Sequence, residues 1–481
     1  MVKELGAQPS EQNTIAILMS VPWSFKLIYG FTSDTFKLFG YRRKSYLFMG
    51  YIFYAISMLY LAYLRYPTVL QLAANLFLGT VGIIMADVSA DTMIVERSQH
   101  EPEHKRGQAQ ATCYSVRFFG SIIGSFAGCI LYNKAAWGWG LEFYQVCAMC
   151  GLLPLAILIP AIPSLYELEG ETKPVNEQLA DIWSMVQLKA VWRPMSFIYI
   201  YNLFQVPNVA WSSYLQLTLK FPAWFIGFIG LVGSLMTFCG IVVYKKFFFK
   251  SSWRSIYLYS SITTFAFSCL QICLIFQINE RIFGISNYPF AMGDDVLQQF
   301  LAGIQFLPAC VMYMGLCPKG SEGATYSMLT TFGNIALTVA GSLGTQLGQI
   351  WDVSNTALKN NDLSGLWKLA LLTSLVPILP LFLLYLIPAN QKMQKELQKS
   401  TDRSVIGGVI FLSVLVFSLV SVFVNAYEIL SKAKAQQEEA LEGVSLLGSG
   451  NIGGGQVDEI IGVYYEGGFE IYGVKGPFGL A

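Results

Sequence analysis

Twelve stretches long and apolar enough to cross a lipid bilayer follow one another along this 481-residue chain, which constrains its architecture more than any motif does. A spanning helix needs about 20 mainly apolar residues. The stretches lie at 12–31, 45–65, 69–93, 108–132, 141–163, 194–218, 223–244, 254–276, 295–317, 324–350, 364–388 and 404–427. Charged residues make up only 13% of the chain, against about a quarter in a soluble domain. The expectation is an all-α, multi-pass membrane protein, with the lipid bilayer as its surroundings. The composition does not distinguish a plasma membrane from an organelle membrane.

Other function classes find little support. With 31 basic and 30 acidic residues there is no net field to attract nucleic acid. The two histidines, His100 and His104, share one polar loop, so neither a metal site nor any other cofactor is expected. The nine cysteines fall inside or at the edges of apolar stretches, where they act as small hydrophobes and imply no disulfides. Cys147 and Cys150 have redox-motif spacing, but they sit in the run QVCAMCGLLPLAILIPAI, which favours packing. No nucleophile constellation or phosphate-binding loop marks an enzyme; the Gly-rich GSGNIGGG lacks the lysine, strand and helix such a loop needs.

Lys and Arg set the orientation, because positively charged loops resist translocation. One set of alternate loops carries nineteen of these residues and the other, with both termini, nine. The richer set is expected to be cytoplasmic. That places the amino terminus outside or in a lumen although MVKELGAQPSE has no apolar signal core, and the simplest reading is that a helix preceding residue 12 is missing from this sequence. An internal repeat points the same way. At an offset of 213 residues Ala111 and Thr112 match Ala324 and Thr325, Phe119 and Gly120 match Phe332 and Gly333, Ile122 matches Ile335, and Ala127 and Gly128 match Ala340 and Gly341. Two six-helix repeats joined by a long loop describe the major facilitator fold. The expected organisation is an N-terminal half at 12–163 with five helices seen, a central loop at 164–193, a six-helix C-terminal half at 194–388, a linker and extra transmembrane helix at 389–427, and a flexible tail at 428–481.

Four charged side chains, Lys26, Asp87, Asp91 and Arg117, lie inside apolar stretches of the first quarter. Ionised groups in a bilayer are costly without a partner or water, so these are the leading candidates for substrate binding or proton coupling. At 1.5 Å per residue, Lys26, Asp87 and Arg117 lie about 12–15 Å from their basic ends, at one level. Asp91 stacks one turn from Asp87. Helical phasing sets Gly124 and Gly128 within about 20° of Arg117 and Gly120 about 60° away. Small residues at this spacing let helices approach, so Gly120, Gly124 and Gly128 are expected to pack and Arg117 to face protein. The competing reading is a structural ion pair, Asp87 with Arg117. Pro22 and Trp23 precede Lys26 and mark a kink or a hinge. The second half carries amides and aromatics instead, among them Asn202, Gln205, Asn208 and Trp211, with Asn334 beside Gly333; Lys245, Asp294, Asp295 and Lys368 fall at stretch ends.

Two stretches, PWSFKLIYGFTSDTFKLFGYRRKSY at 22–46 and MADVSADTMIVERSQHEPEHKRGQAQATCYSVRFFGSIIG at 85–124, resemble the folate-biopterin transporter family of the major facilitator superfamily. The similarity runs through about residue 388. It makes the first stretch that family's second helix and the stretch at 404–427 an addition. The resemblance implies a proton-linked secondary transporter of folates, pterins or related compounds, working by alternating access. It also likens the first loop, with Gly30, Asp34, Gly40, Arg42 and Arg43, to a gating loop in which an acid latches to neighbouring bases. Five residues separate Asp34 from Gly40, a departure from the usual pattern that leaves a purely topogenic basic loop open. Asp87, Asp91, Glu96 and Arg97 match the family's acidic helix and its VER ending. The resulting expectation is a monomeric carrier of a small organic anion, a folate or pterin first, with protons as the coupling ion; the alternatives are a sugar or glycoside symporter of related fold and a non-transporting scaffold or sensor derived from a carrier.

Overall fold

In the computed structural model, which describes residues 18–19, 21–102, 108–132, 137–167, 172–317, 321–399 and 402–448, the apolar stretches become helices and nothing among these residues forms a sheet. A 3-10 turn over Val21–Phe25, seated on Pro22, leads into α1 (Lys26–Thr35). Then come α2 (Lys44–Leu64), α3 (Val69–Gln99), α4 (Gln108–Leu131) and α5 (Phe143–Leu153), the last prolonged to Ser164 by a π-helical turn starting at Pro154. An amphipathic helix α6 (Val175–Val186) leads to α7 (Lys189–Leu203), α8 (Trp211–Leu217), α9 (Ala223–Val243) and α10 (Trp253–Ile275). The chain closes with α11 (Asn287–Leu316), α12 (Glu322–Leu347), α13 (Ser364–Leu375, continued as a 3-10 helix to Leu386), α14 (Gln391–Lys399) and α15 (Val405–Gly448).

Nine helices among the described residues are long and apolar enough to cross a membrane by length and composition. Three of the twelve stretches differ for local reasons. The first is described only from Leu18 and divides at the Val21–Phe25 turn. The stretch at 194–218 breaks between Leu203 and Trp211 around Pro207, which disfavours helix at the residue before it. The stretch at 324–350 forms one 26-residue helix, α12, whose polar start EGATYSMLTTFGN lowers its mean hydropathy.

Two boundaries move. Residues 428–448, expected in a flexible tail, continue α15 without a break, because AKAQQEEALEG is rich in strong helix formers. The rest of that tail, 449–481, lies outside the described residues. Asp294, placed by sequence at a stretch end, is buried two turns inside α11, because that helix begins at Asn287.

The helices form two groups. In the first, α2 packs along α3 and α5; in the second, α11 packs on α9 and α10, and α12 on α7. The groups meet where α1 lies along α12 and α4 along α9. The 213-residue offset carries α1 onto 239–248, the end of α9 and the π-helical turn that continues it, and α4 onto α12, so it relates one contact to the other. Close backbone approach makes the α1–α12 seam tight: a Cβ on Gly30 would fall 2.3 Å from the Gly323 carbonyl oxygen, and one on Gly323 2.8 Å from Asp34 Oδ1.

Candidate functional site

The four intramembrane charges meet. Lys26 Nζ lies 2.5 Å from Asp87 Oδ2 and 3.7 Å from Asp91 Oδ2; an Arg117 nitrogen lies 2.8 Å from Asp87 Oδ1 and 3.0 Å from Asp91 Oδ1. Three helices supply them, α1, α3 and α4, and the i, i+4 stacking of Asp87 and Asp91 turns both carboxylates to one side of α3. Two cations and two anions cancel, the condition under which such groups persist away from water. The Trp23 ring beneath Lys26, 4.6 Å from Nζ, and the Tyr114 ring beside Arg117, at 5.0 Å, add cation–π contacts. Lys26 is closed in, its side chain 6% exposed, whereas Arg117 keeps 36% of its side chain open.

Arg117 thus faces its partners, but not for the reason expected. A Cβ at Gly120, Gly124 or Gly128 would meet no heavy atom within 4 Å, and all three glycines are exposed. The expected packing role of Gly120, Gly124 and Gly128 is therefore corrected. Phasing fixes which face of α4 they occupy, and among the described residues no helix covers that face.

The first loop builds a second charge cluster at the end of the bundle that holds the basic loops. Phe39 (φ 52°) and Gly40 (φ 83°) make a tight two-residue turn, closed by paired backbone hydrogen bonds between Leu38 and Tyr41. The turn folds the loop back, so the five residues between Asp34 and Gly40 do not keep Asp34 from its bases. Asp34 pairs with Arg43 through a short hydrogen bond and with Arg42 at 3.4 Å. Arg43 also reaches Glu96 at 2.7 Å and donates to Ser33 Oγ at 2.6 Å. Burial opposes the charge on Arg43, but Asp34 and Glu96 outweigh it and hold the guanidinium protonated even more firmly than usual. Arg97 is exposed and enters none of these ion pairs.

Asp34 does more than the sequence indicates. Its Oδ2 accepts from the backbone N–H of Ala324, 2.6 Å away, in the first turn of α12. A carboxylate is favoured there by the helix dipole, so Asp34 joins the loop of one helix group to a helix start of the other. Further bonds cross at this end: Gln178 Nε2 donates to Thr35 Oγ1 (3.0 Å), Ser321 Oγ to Asp181 Oδ2 (2.7 Å) and Lys245 Nζ to Thr112 Oγ1 (2.8 Å). Deeper in, the Tyr114 and Tyr326 hydroxyls meet at 3.1 Å, with Gln110 Nε2 donating to Tyr326. These partners escaped sequence reasoning because one hydroxyl or amide in an apolar helix does not announce its neighbour. Glu167, after the fifth apolar stretch, accepts from the backbone N–H groups of Arg42, Arg43 and Lys44 and caps α2.

The second group relies mainly on amides and hydroxyls, with one buried carboxyl, Asp294. Tyr201 on α7 donates to Gln305 Oε1 (3.0 Å), and Gln305 Nε2 donates to Ser260 Oγ (2.7 Å). Asn202 donates to the Gly333 carbonyl at 3.2 Å. Asp294 accepts from Gln271 and Gln298 at 3.1 and 2.8 Å. No group of three or more His, Cys, Asp or Glu among the described residues could hold a metal ion.

A bundle of membrane-length helices in two groups, with four interior charges cancelled within the first, is a multi-pass membrane protein, and comparison with known proteins makes it a transporter. The model of the BT1 family matches residues 1–405, and the chain belongs to that family. It is 28% identical over 406 residues to a folate-biopterin transporter of Synechocystis sp., covering 83% of this chain and 79% of that one. It is 25% identical over 401 residues to folate transporter 1 of Plasmodium falciparum, covering 82% and 76%. Among solved structures, that of the human organic anion transporter MFSD10 (TETRAN) aligns with a TM-score of 0.48 at 16% identity, over 78% of this chain and 83% of that one.

Proposed function

We propose that this transporter moves a folate, a pterin or a related small organic anion by alternating access, coupled to protons. The observation that carries the reading is the four-charge cluster with its half-open arginine. Two cations and two carboxylates leave no net charge, so an anionic group arriving at Arg117 adds one uncompensated negative charge. A proton taken up by Asp87 or Asp91 restores neutrality and frees the arginine to bind the substrate. One proton per bound negative charge is the coupling this balance favours. The seam closed around Asp34 and Ala324 serves as the gate at the basic end, and separating α1 from α12 would open it. The names of the Synechocystis and Plasmodium relatives support a folate or pterin as cargo.

The test is uptake of labelled folate, a pterin and a sugar into proteoliposomes at two external pH values. An inward proton gradient should accelerate folate or pterin uptake, and neither should compete with the sugar. Arg117→Ala should slow uptake about tenfold to a hundredfold, the worth of a charged hydrogen bond, with Arg117→Lys intermediate. Arg117→Ala uptake equal to the parent's would remove Arg117 from the site, and displacement by sugars alone would favour a glycoside carrier.

A further inference from the structure

Helix α15 lies beyond nearly all of the matched family region, yet its first half is joined to the transporter from Ser404 to Phe423. Its foot is fixed to the α6–α7 junction: Ser404 N–H donates to the Gln187 carbonyl (2.9 Å) and Lys189 N–H to the Asp402 carbonyl (3.1 Å). Two glycines permit this approach, since a Cβ on Gly407 would stand 2.8 Å from Trp192 Nε1 and one on Gly408 3.1 Å from Gln187 Cγ. Higher up, Phe411 stacks on Phe332 of α12 with ring centroids 4.3 Å apart, and Ser418 Oγ lies 2.6 Å from the Tyr199 hydroxyl of α7. Phe411, Leu415, Ser418 and Val422 form one buried stripe at helical spacing, while Val409, Val416, Phe417 and Val420 are exposed. The partners named so far, Gln187, Lys189, Trp192, Tyr199 and Phe332, lie at the α6–α7 junction, on α7 or on α12. Before its midpoint, at the end of its apolar span, α15 reaches the first group, where the Phe423 ring, itself 57% exposed, meets Phe25 at 4.8 Å and 52°. Phe25 is the residue immediately before Lys26.

We propose that α15 is a strap that ties the Val21–Phe25 turn, and with it Lys26, to the second helix group, Phe423 being a positioning residue for the Lys26 ammonium. The strap travels with α7 and α12, so any rocking of the two groups pulls on the turn that delivers Lys26 to Asp87. The contact favours the arrangement seen here and restrains its exchange. The effect on transport rests on the alternating-access reading above; the tie itself does not.

Two measurements on the full chain separate these claims. The first is amide hydrogen exchange. Phe423→Ala should raise exchange over 21–35 about fivefold, the factor an aromatic pair contributes, while leaving 405–418 protected. Phe423→Tyr should restore the parent pattern, and Val420→Ala, exposed like Phe423 but outside the ring contact with Phe25, should change nothing. Unaltered exchange over 21–35 in a folded Phe423→Ala protein overturns the strap, whatever the substrate. The second is a Phe25→Cys/Phe423→Cys pair, oxidised in proteoliposomes against each single variant. The disulfide should slow folate uptake at least about tenfold and reduction should restore it, since a protein held in one arrangement cannot exchange with the other. Parent-rate uptake by the cross-linked pair overturns the restraint. Failure of the parent itself to carry folate or pterin refutes the proposed cargo and leaves the exchange measurement to decide the strap.

Discussion

Replacing Gly30 by alanine should open the seam at the basic end. The added Cβ would sit 2.3 Å from the Gly323 carbonyl oxygen, 2.5 Å from Ser327 Oγ and 2.8 Å from the Gly323 carbonyl carbon. A carbon and a carbonyl oxygen rest about 3.3 Å apart or more, so roughly 1 Å must be found. Ser327 can turn away, but backbone on both sides cannot, so α1 and α12 have to separate. Overpacking of this kind costs about 1–3 kcal/mol. Borne by the closed arrangement alone, it shifts the balance between closed and open seams about fivefold to a hundredfold. The readout is labelling of Ser327→Cys, a site buried in the seam, with a membrane-impermeant maleimide, counted above the native cysteines. Labelling of Gly30→Ala/Ser327→Cys should outpace that of Ser327→Cys by this factor. Equal labelling, with equal thermal stability, would refute the claim that backbone contact at Gly30 holds the seam.

Three further outcomes follow from the same geometry. Lys26→Met should destabilise the protein in detergent by about 3–5 kcal/mol, because it leaves buried Asp87 short of a partner, and Lys26→Met/Asp87→Asn should recover much of the loss; thermal unfolding checks both. Gly120→Ala, Gly124→Ala and Gly128→Ala should each change stability by less than about 0.5 kcal/mol, since the new methyls enter open space. Asp181, outside the spans, feels burial pushing its pKa up, but hydrogen bonds from Lys173 and Ser321 outweigh this and hold it below its ordinary 3.8. A carboxylate depressed in the folded state stabilises above its unfolded pKa and loses that contribution as pH falls through the folded value. Asp181→Asn should therefore lower the melting temperature at pH 7 and differ progressively less from the parent below about pH 4.

The charges were the most legible part of this molecule, for a physical reason. A bilayer penalises isolated ions so strongly that Lys26, Asp87, Asp91 and Arg117 had to find one another, and depth along each helix was enough to predict their common level. Glycine phasing misled because it reports a direction around one helix and says nothing about whether a neighbour stands there. The Asp34 ion pairs are obscured by counting residues along the loop, because the Phe39–Gly40 turn shortens the path through space. The bond from Ala324 N–H to Asp34 joins residues 290 positions apart, and no local pattern encodes such a pairing. The end of α15 is hard to read from the sequence because its polarity resembles that of a flexible tail, although its residues are strong helix formers.

Glu167 carries a consequence for how force passes through the protein. By gripping the first amides of α2 from the chain that leaves α5, it fastens α5 to α2 at the basic end, with Lys44 Nζ bound to the Pro163 carbonyl beside it. A joint there resists shear between α2 and α5, so a load passed from Asp34 through Arg43 is shared by both helices instead of being spent in bending α2 alone. The compliance then gathers in the two seams, α1 with α12 and α4 with α9. Hydrogen bonds make up most of the polar contacts named across those seams, and a hydrogen bond can be exchanged for water at small net cost.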